Sequence, residues 1–207
     1  MARDNWYRNA DWSPEVASVF EAKLVRARDK AQYLRIQAST LRESLPEVAH
    51  ALLDRYFAMP DHFDWAQGFV DRAVAYLSQG KLTEALVAYE RALAREASFP
   101  KLKTQAYLDL PFLVATNAVQ DRYDAAVEVL ESHKARLMFP VDHFKWNAAQ
   151  ALIASARGDA EAARDFAKVA IEAAAMDSSG LRYHPTVGLV PETLVATVRR
   201  MHELSDA

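Results

Sequence analysis

The chain has 207 residues, 51% of them apolar and 26% charged, with a formal net charge of −3. That length and balance suit a folded protein with a substantial core, and argue against one that holds nucleic acid through a global basic field. Cysteine is absent, which excludes disulfides and thiol chemistry.

Only five glycines stand among abundant alanine, a balance that favours helix nearly everywhere. The opening stretch MARDNWYRNADW lacks the apolar core of a signal peptide. No run reaches the ~18 consecutive apolar residues that span a bilayer, so a cytoplasmic protein with no membrane contact is expected. Charge is mildly asymmetric: residues 1–42 hold eight Lys/Arg against five Asp/Glu, and the remainder 17 against 23.

In chain order, Trp6, Tyr7 and Trp12 come first, with Trp6 and Trp12 readable as a lid over a helical stack or as ligand contacts. Ser13-Pro14-Glu15 is a helix start, with serine as N-cap and proline at the first helical position. The helix that follows sets Val16, Val19, Phe20, Lys23, Leu24 and Ala27 on one face at three- and four-residue spacing.

Four turn residues then recur, Ser44, Gly80, Asp121 and Gly158, at intervals of 36, 41 and 37. Five residues beyond each lies a small one: Ala49, Ala85, Ala126 and Ala163. Four further on are Leu53, Tyr89, Leu130 and Ala167, and then Tyr56, Ala92, His133 and Ala170. Small residues at such spacing let a second helix lie close to a first. Pro60, Pro100 and Pro140 fall where the first three hairpins should close. Pro111 demands either a helix start or a kink within DLPFLVATNAV. Asp177-Ser178-Ser179-Gly180 is a helix stop, and Pro191 opens a last helix with Leu194, Val198 and Met201 as its stripe.

The segment 69–100, FVDRAVAYLSQGKLTEALVAYERALAREASFP, carries Tyr76, Gly80, Ala85, Tyr89 and Ala92 at the spacing of a tetratricopeptide (TPR) hairpin, and residues 30–177 resemble that family. The resemblance implies an all-α, TPR-like α-solenoid of antiparallel helix hairpins with N- and C-terminal capping helices. It would be a single domain over residues 1–207: a cap segment and helix at 1–29, four hairpins at 30–177, and a loop with a capping helix at 178–207.

In TPR proteins the first helix of each hairpin lines a concave groove for a peptide or helix. Carried over by position, the lining implied here includes Leu34, Arg35, Ala38, Leu41, Arg42, Gln67, Val70, Asp71, Val74, Leu108, Phe112, Ala115, Lys145, Ala149 and Leu152. The Lys/Asn pattern that clamps acidic chaperone tails is not matched, because Leu34, Ala38, Asp71, Leu108 and Phe112 stand in its place. Partner binding is therefore expected at Arg35, Arg42, Asp71, Phe112, Gln67 and Leu34. Arg35 and Arg42 would either grip an acidic group with their guanidinium forks or form salt bridges to Asp71. Phe112 would either contact a ligand or pack in the core.

Catalytic motifs are missing: there is no phosphate-binding glycine loop, no HExxH and no GxSxG elbow. The six histidines, at 50, 62, 133, 143, 184 and 202, show no metal-ligand spacing. Asp61-His62 and Asp142-His143 read as turn or capping residues. Leu181-Arg182-Tyr183-His184 reads as a loop that plugs the last hairpin or makes contacts. These observations lead us to expect a non-enzymatic interaction scaffold for a protein or peptide, with no cofactor or metal and with homo-oligomers compatible. An immunity-type or inhibitor protein, and a nucleic-acid-binding α-solenoid, are the alternatives.

Overall fold

Ser13 opens the first helix as its spelling requires: its hydroxyl accepts from the Val16 N–H at 3.3 Å, and Pro14 takes the first helical position. The computed structural model describes residues 5–60 and 63–207. Ten α-helices lie among them: α1 Pro14–Arg26, α2 Lys30–Leu41, α3 Pro46–Phe57, α4 Trp65–Ser78, α5 Leu82–Ser98, α6 Ala106–Thr116, α7 Tyr123–His133, α8 Pro140–Ala156, α9 Ala160–Ala174 and α10 Val195–Ser205. No strand occurs among the described residues. The protein is all-α.

The chain divides into two compact units, Met1–Ala106 and Tyr107–Ala207. In the first, α2 packs on α3 and α4 on α5, with further contacts from α2 and α3 to α4. Its core gathers Phe20, Leu24, Leu34, Ala38, Leu41, Ala49, Leu53 and Tyr56. Trp6, Tyr7 and Trp12 pack against this cluster, with the Trp6 ring 5.4 Å from Phe20 and 4.9 Å from Tyr33. Arg55 reaches from α3 to Glu21 on α1 with a two-pronged pair at 2.5 and 2.9 Å. That hydrogen bonding raises the Arg55 pKa.

The second unit is built on α8 packed along α9, with α10 lying on α9 and touching α8. Phe144, Ala148, Ala151, Ala167, Ala170, Ala173, Met201 and Leu204 form its core, with Phe112, Leu152, Phe166 and Val198 against it. The expected stripe Leu194, Val198 and Met201 does face inward, although Pro191 precedes a 3-10 turn and α10 itself begins at Val195. Pro140 opens α8 instead of closing a hairpin.

Ala49, Ala85, Ala126 and Ala163 each occupy the fourth position of their helix, α3, α5, α7 and α9 in turn, and all are buried. The repeat spacing thus becomes a repeated packing position. Where Tyr56 replaces the next small residue, α4 gives way instead. A Cβ on Gly68 would come within 2.7 Å of the Tyr56 ring, so the missing methyl makes the room.

Gly80 and Gly158 reverse the chain with φ of +70° and +80°. Each is followed by the paired bonds of a Schellman cap: Lys81 to Tyr76 and Gly80 to Leu77, then Asp159 to Ala154 and Gly158 to Ser155. The third turn differs from expectation. Its left-handed residue is Ala118, φ +51°, with the same bonds from Val119 to Val114 and from Ala118 to Ala115. Asp121, read as the turn residue, lies beyond it in a 3-10 turn, Gln120–Arg122, that precedes α7. Helix α6 does not start at Pro111, the first of the two readings; it runs from Ala106 to Thr116 with the proline inside it. Proline withholds the N–H that the Tyr107 carbonyl would otherwise receive.

Candidate functional site

The arginine pair on α2 is best approached through its surroundings. Arg35 and Arg42 lie two turns apart on one face, and Asp71 on α4 sits between them with no exposed surface. Arg42 Nη1 donates to Asp71 Oδ1 at 2.5 Å, and Arg35 Nη1 to Asp71 Oδ2 at 3.3 Å. Arg35 Nε also faces Asp64 Oδ2 at 2.5 Å, while Gln67 Nε2 donates to Asp71 at 3.4 Å. Arg42 adds Ser39 Oγ at 3.3 Å. Two guanidinium groups and two carboxylates thus close on one another. Nearby, burial pushes the Tyr56 hydroxyl pKa up, with Asp64 adding to the effect.

This arrangement realises the salt-bridge alternative for the arginines. Their forks are held by carboxylates of the same chain, so an external acid would have to displace Asp71, a buried charge with nowhere to go. The apolar lining read around them is not a free surface either. Leu34, Ala38 and Leu41 are all buried in the core of the first unit. Phe112 is half-buried against the core of the second unit, with Lys145 Nζ 5.6 Å from its ring centre. Lys145 itself pairs with Asp109 at 2.7 Å.

Other groups named from sequence find structural duties. Asp142 on α8 accepts from the N–H of Met138 and Phe139 at 3.2 and 3.1 Å, a capping role. His143 is exposed, and Asp61-His62 lies outside the described residues. His133 Nδ1 sits 2.9 Å from the Val129 carbonyl, and its ring stacks on Tyr107 at 5.7 Å. His50 is half-buried with its ring 4.3 Å from Tyr76. Burial lowers its pKa, and the Arg72 charge lowers it further. Among the described residues no cluster of His or carboxylates could hold a metal ion, and no helix is long and apolar enough to cross a membrane.

The 181–184 segment is not a plug. Leu181, Arg182, Tyr183 and His184 are all exposed, Tyr183 at 78%. What anchors this stretch is Val190, packed on the core, and Gly188, whose carbonyl accepts from the Val141 N–H at 2.9 Å. Turn bonds such as Ser179 to Pro185 at 2.8 Å and His184 to Leu181 at 3.1 Å fix the backbone in between.

A surface that sequence reasoning missed lies at the end of the α4–α5 hairpin. Phe63, Ser98, Phe99, Pro100, Lys101 and Leu102 line an open cleft of about 420 Å³. Phe63 is 63% exposed and Phe99 39%. The walls are held from behind. Phe99 N–H bonds the Arg95 and Glu96 carbonyls at 3.0 and 3.1 Å, and Leu102 N–H bonds Phe99 at 2.9 Å. The buried Glu96 carboxylate accepts from Thr104 N–H at 2.8 Å and from its hydroxyl, closing the loop. Arg95 lies 3.9 Å from the Phe99 ring centre and 5.4 Å from that of Trp65. The only sequence signal was the long connection PKLKTQAY. Its exposure is set by tertiary placement, which periodicity does not report.

No family model, curated protein or solved structure matches the chain.

Proposed function

We propose that this protein is a non-enzymatic protein–protein interaction module of TPR-like helical hairpins, and that its working surface is the cleft at the end of α5. The observation that carries this reading is the cleft itself: two exposed aromatic rings, Phe63 and Phe99, beside Pro100 and Leu102, on a backbone fixed by the Glu96–Thr104 clamp. An apolar concavity with prepaid backbone order favours binding, because little conformational freedom is lost when a side chain enters. The Arg35–Asp71–Arg42 cluster serves the same module as an internal brace.

Affinity capture with the wild-type chain and with Phe63→Asp or Leu102→Asp tests this. The partner should be lost from both variants while circular dichroism is unchanged. Equal capture by wild type and both variants would end the assignment of this surface.

A further inference from the structure

The charges around the cleft say what kind of partner segment it takes. Among the described residues, Asp64, next to Phe63, is engaged by Arg35 at 2.5 Å, and Glu96, two residues before Ser98, by Thr104. The cations are not. Lys101 lines the cleft, is exposed, and makes no ion pair among the described residues. Lys103, two residues on, is exposed and equally unpaired among them. The C-terminus of α5 brings partial negative charge to this end, and Arg95 in its last turn offsets it. A chain with net charge −3 thus sets one exposed lysine on an apolar floor, with a second two residues further along the chain.

We infer that the occupant is an acidic peptide segment of a partner protein: one large apolar side chain seated between Phe63, Phe99 and Leu102, flanked by carboxylates that face Lys101 and Lys103. This rests on the interaction-module reading above and sharpens it to a ligand chemistry. The apolar anchor supplies most of the affinity. The flanking acids orient the segment and speed its arrival, since exposed charge pairs add little strength each but select the sign of the partner.

The probes are fluorescein-labelled peptides of about twelve residues with one central leucine. One set has flanking glutamates, a second lysines, a third glutamines, and a fourth keeps the glutamates but replaces leucine by alanine. Anisotropy titration against the full chain should rank the glutamate peptide first. The alanine peptide should be weaker by roughly tenfold or more, the loss expected for one buried aliphatic side chain. Lys101→Glu with Lys103→Glu should invert the order, making the lysine peptide the better ligand, with helical content unchanged. Raising salt should narrow the spread between charged peptides.

The outcomes separate cleanly. If the lysine or glutamine peptide binds the wild-type chain as well as the glutamate one, and Leu102→Asp abolishes all three, the acidic preference is overturned while the cleft remains a peptide site. If no peptide saturates below about 1 mM, or binding survives Leu102→Asp, the inference and the cleft assignment both fall.

Discussion

One seam in each unit solves the same problem by opposite means. In the first, α2 meets α4 across a partly buried cluster of charge, Arg35, Arg42 and Asp64 around the fully buried Asp71. In the second, α8 meets α9 through alanine: Ala148 and Ala151 on one side, Ala163, Ala167 and Ala170 on the other. Alanine seams draw helices close and gain from dispersion and from the apolar area removed from water. A charged seam gains little net stability, because desolvation offsets attraction, but it penalises every misaligned register by stranding a charge. We read the α2–α4 seam as held in register and the α8–α9 seam as held by closeness.

That contrast can be broken most forcefully in the second unit. Ala167→Arg places a long cation where no surface is exposed, and should cost at least about 4 kcal/mol in a denaturant melt. Ala85→Arg, at the matching close contact on α5, should behave alike. Wild-type stability in either variant would remove the packing register described here.

Asp71→Ala comes next, leaving Arg42 without its buried carboxylate and Arg35 with Asp64 alone, and should cost about 3 kcal/mol. The informative companion is the triple change Asp71→Leu, Arg35→Met and Arg42→Met. If the cluster provides register more than strength, the triple variant should regain most of the loss. A triple variant as unstable as Asp71→Ala would mean the charges contribute strength directly. The double reversal Arg35→Glu with Arg42→Glu should lose stability, since three acids would then surround Asp71's site, and the loss should show by circular dichroism on heating.

A smaller effect, and a gain, is expected at the third turn. Ala118 holds a left-handed conformation that disfavours a Cβ, so Ala118→Gly should stabilise by up to about 1 kcal/mol. No change in the urea midpoint would show that the cost is met elsewhere.

The least change concerns pH. The folded-state pKa of His50 lies below its ordinary 6.5, first through burial and then through Arg72. The protonated form is disfavoured in the native state, so the stability linked to this group is present above about pH 6.5 and is lost as pH falls through its lowered value. Urea midpoints for wild type and His50→Gln should therefore converge as pH falls from about 7.5 towards 5. Parallel curves would exclude His50 as the source.

Much of this architecture was legible. Alanines at recurring spacing marked a buried position in α3, α5, α7 and α9, because close packing needs small residues wherever it occurs. Gly80 and Gly158 marked turns because left-handed backbone favours glycine. The third turn escaped since alanine occupies its left-handed position, and only the observed φ reveals it. The site was less legible. The sequence offered Arg35, Arg42 and Asp71 together but could not say whether the forks look inward or outward. Leu34 was placed on a helix face that turned out to be core. The cleft was invisible because Phe63 and Phe99 are 36 residues apart and carry no periodic signal.

The delayed start of α7 has one more consequence. From Gly80 to α5 and from Gly158 to α9 the chain takes two steps, but from Ala118 to α7 it takes five, the extra three forming Gln120–Arg122. A 3-10 helix has about three residues per turn and rises about 2 Å for each. Three added residues therefore complete one revolution. The helix begins about 6 Å later yet points the same way, and Ala126 still arrives on the buried side. Insertions here are tolerated in whole revolutions: a three-residue addition or removal preserves angular phase, whereas adding one or two residues would swing Ala126, Leu130 and Tyr123 off their contacts together.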